Sequence, residues 1–277
     1  MKSTMRINSS GYTLIELLIA MAVASILITM IFQIQGARQK AHTKQKQAVE
    51  MQQNIRAAIS LMKREVRMAG YDPAASDGLD SDGDTVIDND ESALAGIHIA
   101  GRNMIKFSYD NDGSTSIDTD ELVTYRFSNE YDSDNDGEAD AGAAPFGRAT
   151  GNGPPIPVAE SIHAVGFAYA FDNNDDGNLD TVDGTLNGEI IWAYDSDPAD
   201  VDDQLTTDHT TGADLIPAVP LSDIRAVRIW ILARTREPVR GHYDNRTYTV
   251  GDHTISSADG YPRRLTRTTV YCRNMQL

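Results

Sequence analysis

The sequence predicts an α+β fold, in which a long N-terminal α-helix packs on a β-rich, antiparallel C-terminal domain. Apolar residues fill the stretch from Tyr12 to Ile34 and then recur at intervals of three and four residues as far as Ala69, which is typical of a helix. After residue 100, aromatic and β-branched residues alternate with polar ones in several short segments, which is typical of half-buried strands. Loops rich in Asp and Gly separate these segments.

The composition bounds the class of protein. The 277 residues are 40 % hydrophobic and 23 % charged, which allows an ordinary packed core. The formal net charge of −17 argues against a nucleic-acid partner. The charge is segregated, because residues 71–223 carry 34 acidic and 4 basic side chains, whereas the remainder carries 7 and 20. The single cysteine, Cys272, excludes an intrachain disulfide and a cysteine-only zinc site.

The N-terminal segment predicts a membrane span. The stretch from Tyr12 to Ile34 holds about 23 residues and would form roughly 34 Å of helix, which is enough for a bilayer core of ~30 Å. A cleaved secretory signal would be shorter, with a small-x-small site after it, and no convincing site follows. A simple membrane anchor would leave Glu16 unexplained, because a carboxylate within the membrane is costly and calls for a partner. Cleavage after Gly11 would supply one, the new α-amino group of Tyr12 or of a neighbouring subunit.

These features resemble the processing site of type IV prepilins and type II secretion pseudopilins. The basic leader, Gly11, the aromatic Tyr12, Glu16 and the apolar span all match, although phenylalanine is more usual at the position of Tyr12. The resemblance implies cleavage between Gly11 and Tyr12 by a prepilin peptidase, and N-methylation of Tyr12. It implies a pilin-like fold with these parts: a leader peptide 1–11, a long helix 12–69 with a transmembrane and filament-core part 12–34, and a β-rich domain 70–277.

Two further segments indicate the subfamily that the chain resembles. Arg56 to Pro73 and the ending RRLTRTTVYCRNM are similar to PilW-type minor pilins and, less closely, to GspJ-type pseudopilins. The resemblance implies a minor pilin that helps to initiate, prime or cap a type IV pilus. It also implies contacts with other minor pilins and the major pilin through the N-terminal helices. Glu16 would then pair with the N-terminus of Tyr12 in an adjacent subunit. The protein would reside in the inner (cytoplasmic) membrane as a single-pass protein before assembly, and in the pilus on the cell surface afterwards.

Two alternatives remain open from the sequence. One is a GspJ-like minor pseudopilin of type II secretion, and the other is a calcium-dependent pilus-tip adhesin on a pilin anchor. A catalytic role is not expected, because the six histidines are scattered and the chain lacks HExxH, GxSxG, Walker-type and GxGxxG motifs.

The second half of the helix is predicted to pack on a sheet. Its apolar residues form one stripe, namely Ala48, Met51, Ile55, Ile59, Met62, Val66 and Ala69. Gly70 and Pro73 are predicted to end the helix.

Four Asp-rich loops share the spacing of an EF-hand-type calcium loop. We number them loop one (80–91), loop two (110–121), loop three (132–143) and loop four (172–183). Ca²⁺ takes six to eight oxygen ligands, which alternate side chains of a tight loop can supply. The candidate ligands are Asp80, Asp82, Asp84, Asp88 and Glu91 in loop one; Asp110, Asp112, Ser114, Asp118 and Glu121 in loop two; Asp132, Asp134 and Asp136 in loop three; and Asp172, Asn174, Asp176, Asp180 and Asp183 in loop four.

The loops differ in how well they fit this pattern, and a solvated acidic loop is the alternative for each. Loops one and four are the best candidates, although loop one has Thr85 where glycine is usual. Loop two has Thr115 at that position and Ser114 before it, and loop three ends in Ala143 instead of an acid. The predicted cofactor is Ca²⁺, with dissociation constants of ~10⁻⁴–10⁻³ M as in extracellular modules.

The segments around the loops predict strands. Alternation before and after loops two and four indicates that each loop joins two strands, so that a metal would fasten a hairpin. Ile224 to Arg234 predicts a central strand, and 246–250 and 265–272 predict two more, with Cys272 inside the sheet. The acidic stretch from Asp195 to Asp214 lacks the loop spacing and is predicted to be an exposed loop.

Overall fold

One long helix precedes a β-rich domain. The structure, a computed structural model, describes residues 13–72, 96–114, 117–198 and 204–275. Several predicted features therefore lie outside the described residues. They are the processing residues Gly11 and Tyr12, the predicted helix terminator Pro73, and the whole of loop one. The helix, α1, spans Leu14–Val66. Its parts before and after Gln47 belong to two separate compact units of the chain.

The first part of α1 is apolar and exposed. Leu14–Gln35 forms 22 residues of helix that are long and apolar enough to cross a membrane, judged by length and composition. The hydroxyls of Ser25 and Thr29 donate to the carbonyls of Ala22 and Ser25, each at 2.8 Å, so these polar groups are satisfied by the helix itself. Such internal bonding suits a helix surrounded by lipid or by other helices.

The second part of α1 packs on the sheet through the predicted stripe. Met51, Ile55, Met62 and Val66 are all buried in one core cluster with residues of the strands. The helix ends at Val66, a few residues before the predicted boundary, and a turn follows. Gly70 has a φ of 79° and its N–H donates to the carbonyl of Ser108, so this glycine lies in the turn after the helix and not at the last helical residue.

Twelve strands follow in the described part of the chain, and all strand pairs are antiparallel. Ten of them form one sheet, in which β1 to β8 pair in chain order and β9 lies between β5 and β12; β10 and β11 form a separate hairpin. The strands are β1 Ile97–Ala100, β2 Ile105–Ser108, β3 Leu122–Phe127, β4 Ala144–Thr150, β5 Ile156–Phe171, β6 Ala193–Tyr194, β7 Gln204–Asp208, β8 Asp214–Pro220, β9 Ile224–Arg234, β10 Thr247–Val250, β11 His253–Ser256 and β12 Arg263–Tyr271.

The sheet separates two apolar clusters. The larger lies on the α1 side and includes Val227 and Ile229 of β9, whereas Trp230 and Leu232 face the smaller cluster under the β10–β11 hairpin. Because both faces and both edges of β9 are covered, the prediction of a central strand is confirmed. Cys272 directly follows β12, is buried, and donates its N–H to the carbonyl of Arg225.

The prediction of an exposed loop from Asp195 to Asp214 is wrong in part. Strand β7 lies inside this stretch and pairs with β6 and β8. Leu205 and Thr207 of β7 are buried, and the residue between them is only partly buried. This short alternation of buried and partly exposed residues forms a strand because β6 and β8 complete its backbone hydrogen bonds. Asp195 itself is also buried.

A buried carboxylate joins the helix to the sheet. Glu65 Oε2 accepts hydrogen bonds from the Tyr125 hydroxyl of β3 at 2.6 Å and from Arg148 Nε of β4 at 2.8 Å. Burial raises the pKa of Tyr125, and its bond to Glu65 adds to this effect. The arrangement fixes the end of α1 against two strands with a charged, hydrogen-bonded pair.

Candidate functional site

The N-terminus of α1 is closed by a capping box. The N–H and the hydroxyl of Thr13 both donate to Glu16 Oε2 at 2.9 Å, and the N–H of Glu16 donates to Thr13 Oγ1 at 3.3 Å. Glu16 therefore has partners within its own chain. The pairing of Glu16 with the amino group of Tyr12 stays a prediction. The sequence analysis did not predict the capping role of Thr13, although T-x-x-E before an apolar run is the usual pattern of a capping box.

Loop two closes the antiparallel hairpin of β2 and β3 and gathers three carboxylates. Oxygens of Asp110, Asp112 and Glu121 lie within 4.8 Å of one another. Glu121 accepts backbone N–H bonds with both oxygens, from Asn111 at 2.6 Å and Asp118 at 3.0 Å. The loop backbone thus holds the last predicted ligand of loop two beside the first.

Asp110 is incompletely satisfied. Its Oδ1 accepts the N–H groups of Asp112 at 3.0 Å and Gly113 at 2.6 Å. Its Oδ2 is buried and has no hydrogen-bond partner among the described residues, and the whole residue is 1 % exposed. A buried carboxylate oxygen beside two more carboxylates is an arrangement that a cation would complete. Asp118 is not among these three carboxylates and precedes a short 3₁₀ turn, and the N–H of Ser114 donates to Asp112 Oδ1 at 2.9 Å.

Loops three and four have the same backbone conformation. In each, the first Asp accepts N–H bonds from the fifth and sixth positions, and the ninth-position Asp accepts one from the second. The fourth and sixth positions have positive φ. The bonds are those from Asp136 and Gly137 to Asp132 and from Ser133 to Asp140, and those from Asp176 and Gly177 to Asp172 and from Asn173 to Asp180. The residues with positive φ are Asn135, Gly137, Asp175 and Gly177.

The two loops differ in their carboxylates. Loop three brings oxygens of Asp132, Asp134 and Asp136 within 4.8 Å of one another, and burial raises the pKa of Asp132 to about 6, with a smaller contribution from the charges of Asp136 and Asp134. In loop four the third position is Asn174, whose side-chain oxygen accepts the N–H of Asp176 at 3.0 Å.

The last predicted ligand of loop four is hydrogen-bonded to a residue close to it in the sequence. Asp183 Oδ1 accepts the N–H of Thr185 at 3.1 Å and its hydroxyl at 2.9 Å. Among the described loops, clusters of three carboxylates that could hold a metal ion lie in loops two and three. The preference for loop four stays a prediction, because one of its predicted ligands is the amide of Asn174 and not a carboxylate.

Basic residues of β9 contact the loops. Arg225 Nη2 lies 3.5 Å from Asp175 Oδ1 of loop four, and Arg234 Nη2 donates to the carbonyl of Ala141 in loop three at 3.0 Å. A third arginine, Arg228, stacks on the ring of Trp192 at 3.7 Å. Some of the basic residues near the C-terminus thus contact the acidic loops of the middle of the chain.

A polar chain runs from loop three to β12. Arg263 Nε donates to His163 Nδ1 at 2.9 Å, so that Nε2–H of the neutral imidazole donates to Glu138 Oε1 at 3.0 Å. Arg263 also forms two bonds of 2.6 Å with the carboxylate of Asp259. Burial lowers the pKa of His163 to about 4, and the charges of Arg263 and Arg234 contribute to the shift.

Three family models match parts of the chain. The family model described as Type IV Pilus-assembly protein W matches residues 133–274, that of Prepilin peptidase-dependent protein B matches residues 44–147, and that of the Prokaryotic N-terminal methylation motif matches residues 6–32. A solved structure of a type IV-like pilin from Thermus thermophilus is 15 % identical with a TM-score of 0.42, covering 81 % of this chain and 97 % of that chain. No curated protein sequence matches the chain.

Proposed function

The chain belongs to the PilW family of type IV pilus-assembly proteins and is a minor pilin, and from this premise we propose that it helps to initiate, prime or cap the pilus. The observation that carries the proposal is the exposed apolar helix Leu14–Gln35, which begins beside a single carboxylate, Glu16. Such a helix can lie in the membrane first and then among the helices of other pilins, because both surroundings are apolar.

Processing would prepare the helix for assembly. We propose that prepilin peptidase cleaves between Gly11 and Tyr12 at the inner membrane and that Tyr12 is then N-methylated. Glu16 would exchange its bonds with Thr13 for the amino group of Tyr12 in an adjacent minor or major pilin. The exchange is favourable in a dry bundle, where an unpaired charge is costly and an opposite charge nearby interacts strongly. The assembled protein would be part of the pilus on the cell surface.

Intact-mass analysis of the native protein tests the processing step. The expected mass corresponds to loss of residues 1–11 and gain of one methyl group. A chain that still begins at Met1 would contradict the proposal. Gly11→Ala should block removal of the leader, and efficient removal would show that glycine is not needed there.

Two variants test the role of Glu16. Glu16→Val should be processed largely as the wild type but should fail to enter pili, as measured by immunoblots of sheared pili. Ser25→Ala is the matched control, because Ser25 is a polar residue of the same helix that bonds only to its own backbone. Normal incorporation of Glu16→Val would contradict the pairing.

Deletion of the gene separates the three candidate roles. Loss of pili supports the assembly role. Normal pili with lost attachment would indicate the adhesin instead, and normal pili with impaired secretion would indicate a pseudopilin.

We further propose that the Asp-rich loops bind Ca²⁺, with loop two as the first site. The unpartnered, buried Asp110 Oδ2 supports it, because a hard cation with oxygen ligands would satisfy this atom together with Asp112 and Glu121. Calorimetric titration of the full chain with Ca²⁺ tests the proposal. Asp110→Asn should remove one binding event, whereas Asp214→Asn, at an exposed acid outside the loops, should not. An unchanged titration of Asp110→Asn would contradict the site.

A further inference from the structure

A groove of about 420 Å³ lies between the second part of α1 and the edge strand β12. We call it the basic groove. Ile55 and Ile59 of α1 lie at its apolar floor, and Thr266 and Thr268 of β12 form the opposite wall. Ile55 belongs to the buried core, whereas Ile59 and both threonines are only partly covered, so the cleft between helix and strand is incompletely filled.

Strand β12 has a free edge at this groove. All nine of its residues are in register with β9 on one side. Within the described ranges, no strand pairs with its other side. In an antiparallel strand, alternate residues direct N–H and C=O groups to opposite edges, so β12 presents a row of backbone donors and acceptors along about 30 Å. A free edge of this kind is a template for another strand.

The rim of the groove is positively charged. Arg56 and Lys63 of α1 and Arg264 and Arg267 of β12 line it, and no acidic residue does. None of the four forms an ion pair with the described residues. Other basic side chains behave differently, since Arg148 and Arg263 are both paired with carboxylates. The cations of the basic groove are therefore uncompensated by the fold around them.

We propose that the basic groove binds an acidic, extended segment of a neighbouring pilin subunit, which adds to the sheet as a strand beside β12. Backbone hydrogen bonds with β12 supply affinity, and side chains of the added strand alternate between Ile59 and solvent. Its carboxylates meet Arg56, Lys63 and Arg264. A small anion or a lipid headgroup would neutralise the rim, but it would leave the backbone groups of β12 without partners. The inference rests on the proposed role as a pilus subunit, because only an assembled filament brings such a neighbour.

Photo-crosslinking in piliated cells tests the inference with the full chain. A photo-reactive amino acid replaces Thr266, and a control replaces Thr247, an exposed residue of the β10–β11 hairpin. We expect the Thr266 position, and not the Thr247 position, to crosslink to an acidic segment of another pilin, identified by mass spectrometry. Crosslinks to phospholipid or to a second copy of this chain, or no crosslink, would overturn the inference.

Charge reversal gives an independent readout. The double variant Arg56→Glu and Arg264→Glu should lower the crosslink yield at the Thr266 position about tenfold, because two attractive contacts become repulsive. The matched control is Arg236→Glu and Arg240→Glu, which reverses two exposed charges elsewhere and should leave the yield unchanged. Lysine substitutions of the crosslinked partner acids should restore the yield with the reversed groove, and failure of this rescue would count against direct charge pairing.

The result also separates the inference from the role on which it rests. If deletion of the gene abolishes pili but the reversed groove supports normal pili and an unchanged crosslink yield, the groove inference fails and the minor pilin role stands. If deletion leaves piliation unchanged, the proposed function fails.

Discussion

Two buried carboxylates occupy contrasting regions of the β-rich domain. Glu65 lies where α1 meets the sheet, and Asp110 begins loop two; they are 7 % and 1 % exposed. Glu65 receives a tyrosine hydroxyl and an arginine on one oxygen, so its charge is neutralised inside the fold. Asp110 receives two backbone N–H groups on one oxygen, and no described residue donates to the other.

The difference separates a carboxylate whose partners are supplied by the fold from one that we propose to bind a ligand. A buried charge is tolerated when it is paired and hydrogen-bonded, and it is costly when either is missing. Glu65 meets both conditions with side chains of the chain itself. Asp110 stands beside two more carboxylates, which supports the proposal that a cation is its missing partner.

Removal of the partner of Glu65 should have the largest effect. Arg148→Met leaves the carboxylate of Glu65 buried with only the Tyr125 hydroxyl, and we expect the free energy of unfolding to fall by about 3 kcal/mol. Urea denaturation of the detergent-solubilised chain, followed by tryptophan fluorescence, measures it. Arg240→Met, at an exposed arginine, is the control and should change stability little. A loss as small as that of the control would show that Glu65 does not depend on its partner.

The buried His163 is a third titratable group, and burial favours its neutral form. The pKa of His163 is about 4 in the folded protein against an ordinary 6.5, because of burial and the charges of Arg263 and Arg234. The folded protein therefore takes up this proton at a lower pH than the unfolded chain. The contribution to stability is complete above pH 6.5 and is lost as the pH falls towards 4, by about 3 kcal/mol.

Comparison with a variant isolates this histidine from the other titrating groups. His163→Gln keeps a neutral side chain that can accept from Arg263 and donate to Glu138. Between pH 7 and pH 4, the wild type should lose stability relative to the variant in urea denaturation. Parallel pH profiles of the two proteins would contradict the shifted pKa.

An exchange of carboxylate for amide compares the two regions directly. Glu65→Gln should lower the free energy of unfolding by about 2 kcal/mol with or without Ca²⁺, because the charge-assisted bonds with Tyr125 and Arg148 weaken. Asp110→Asn should stabilise the protein by about 1 kcal/mol in chelator, because it removes a buried, unpartnered charge. In Ca²⁺ the order should reverse, with the wild type more stable. If the two variants change the free energy of unfolding equally in Ca²⁺ and in chelator, Glu65 and Asp110 do not differ in the way proposed.

Ca²⁺ itself should have an effect close in size to that of Asp110→Asn. At 10 mM and a dissociation constant of ~1 mM, one site adds about 1.4 kcal/mol to the free energy of unfolding. The thermal midpoint should rise in Ca²⁺ and return in chelator, and Mg²⁺ at the same concentration should raise it less, because Mg²⁺ gives up its water reluctantly. No shift with Ca²⁺ would make the loops solvated acidic segments.

Local patterns predicted much of the fold. The stripe on α1 and the alternation around β2, β3, β5 and β9 correspond to helix and strand faces in the structure. Strands β1, β4, β7, β8 and β11 were missed. The burial of β4 and β7 depends on neighbours in the sheet more than on their own alternation. The contacts of Glu65 lie 60 and 83 residues away along the chain, so no local pattern could have indicated them.

The candidate site was predicted in outline. Spacing alone indicated that loops three and four are copies, and their backbone bonds bear this out. Spacing could not show that Asn174 and Asp183 would turn to N–H groups of the backbone. It also could not show that Asp110 Oδ2 would be buried without a partner, since this depends on how β2 and β3 fold over the loop.

The repeated turn gives the chain a built-in contrast in mutational tolerance. At Gly137, an added methyl group would lie 2.8 Å from the carbonyl oxygen of Val165 and 2.9 Å from Cβ of Asn103, so β5 would have to move. At Gly177, with nearly the same φ, nothing lies within 4 Å. Natural variation should therefore be able to replace Gly177 by Asn, which adopts this conformation readily, while Gly137 is retained. The same turn therefore tolerates substitution in loop four and not in loop three, because only the loop-three glycine packs against other residues of the domain.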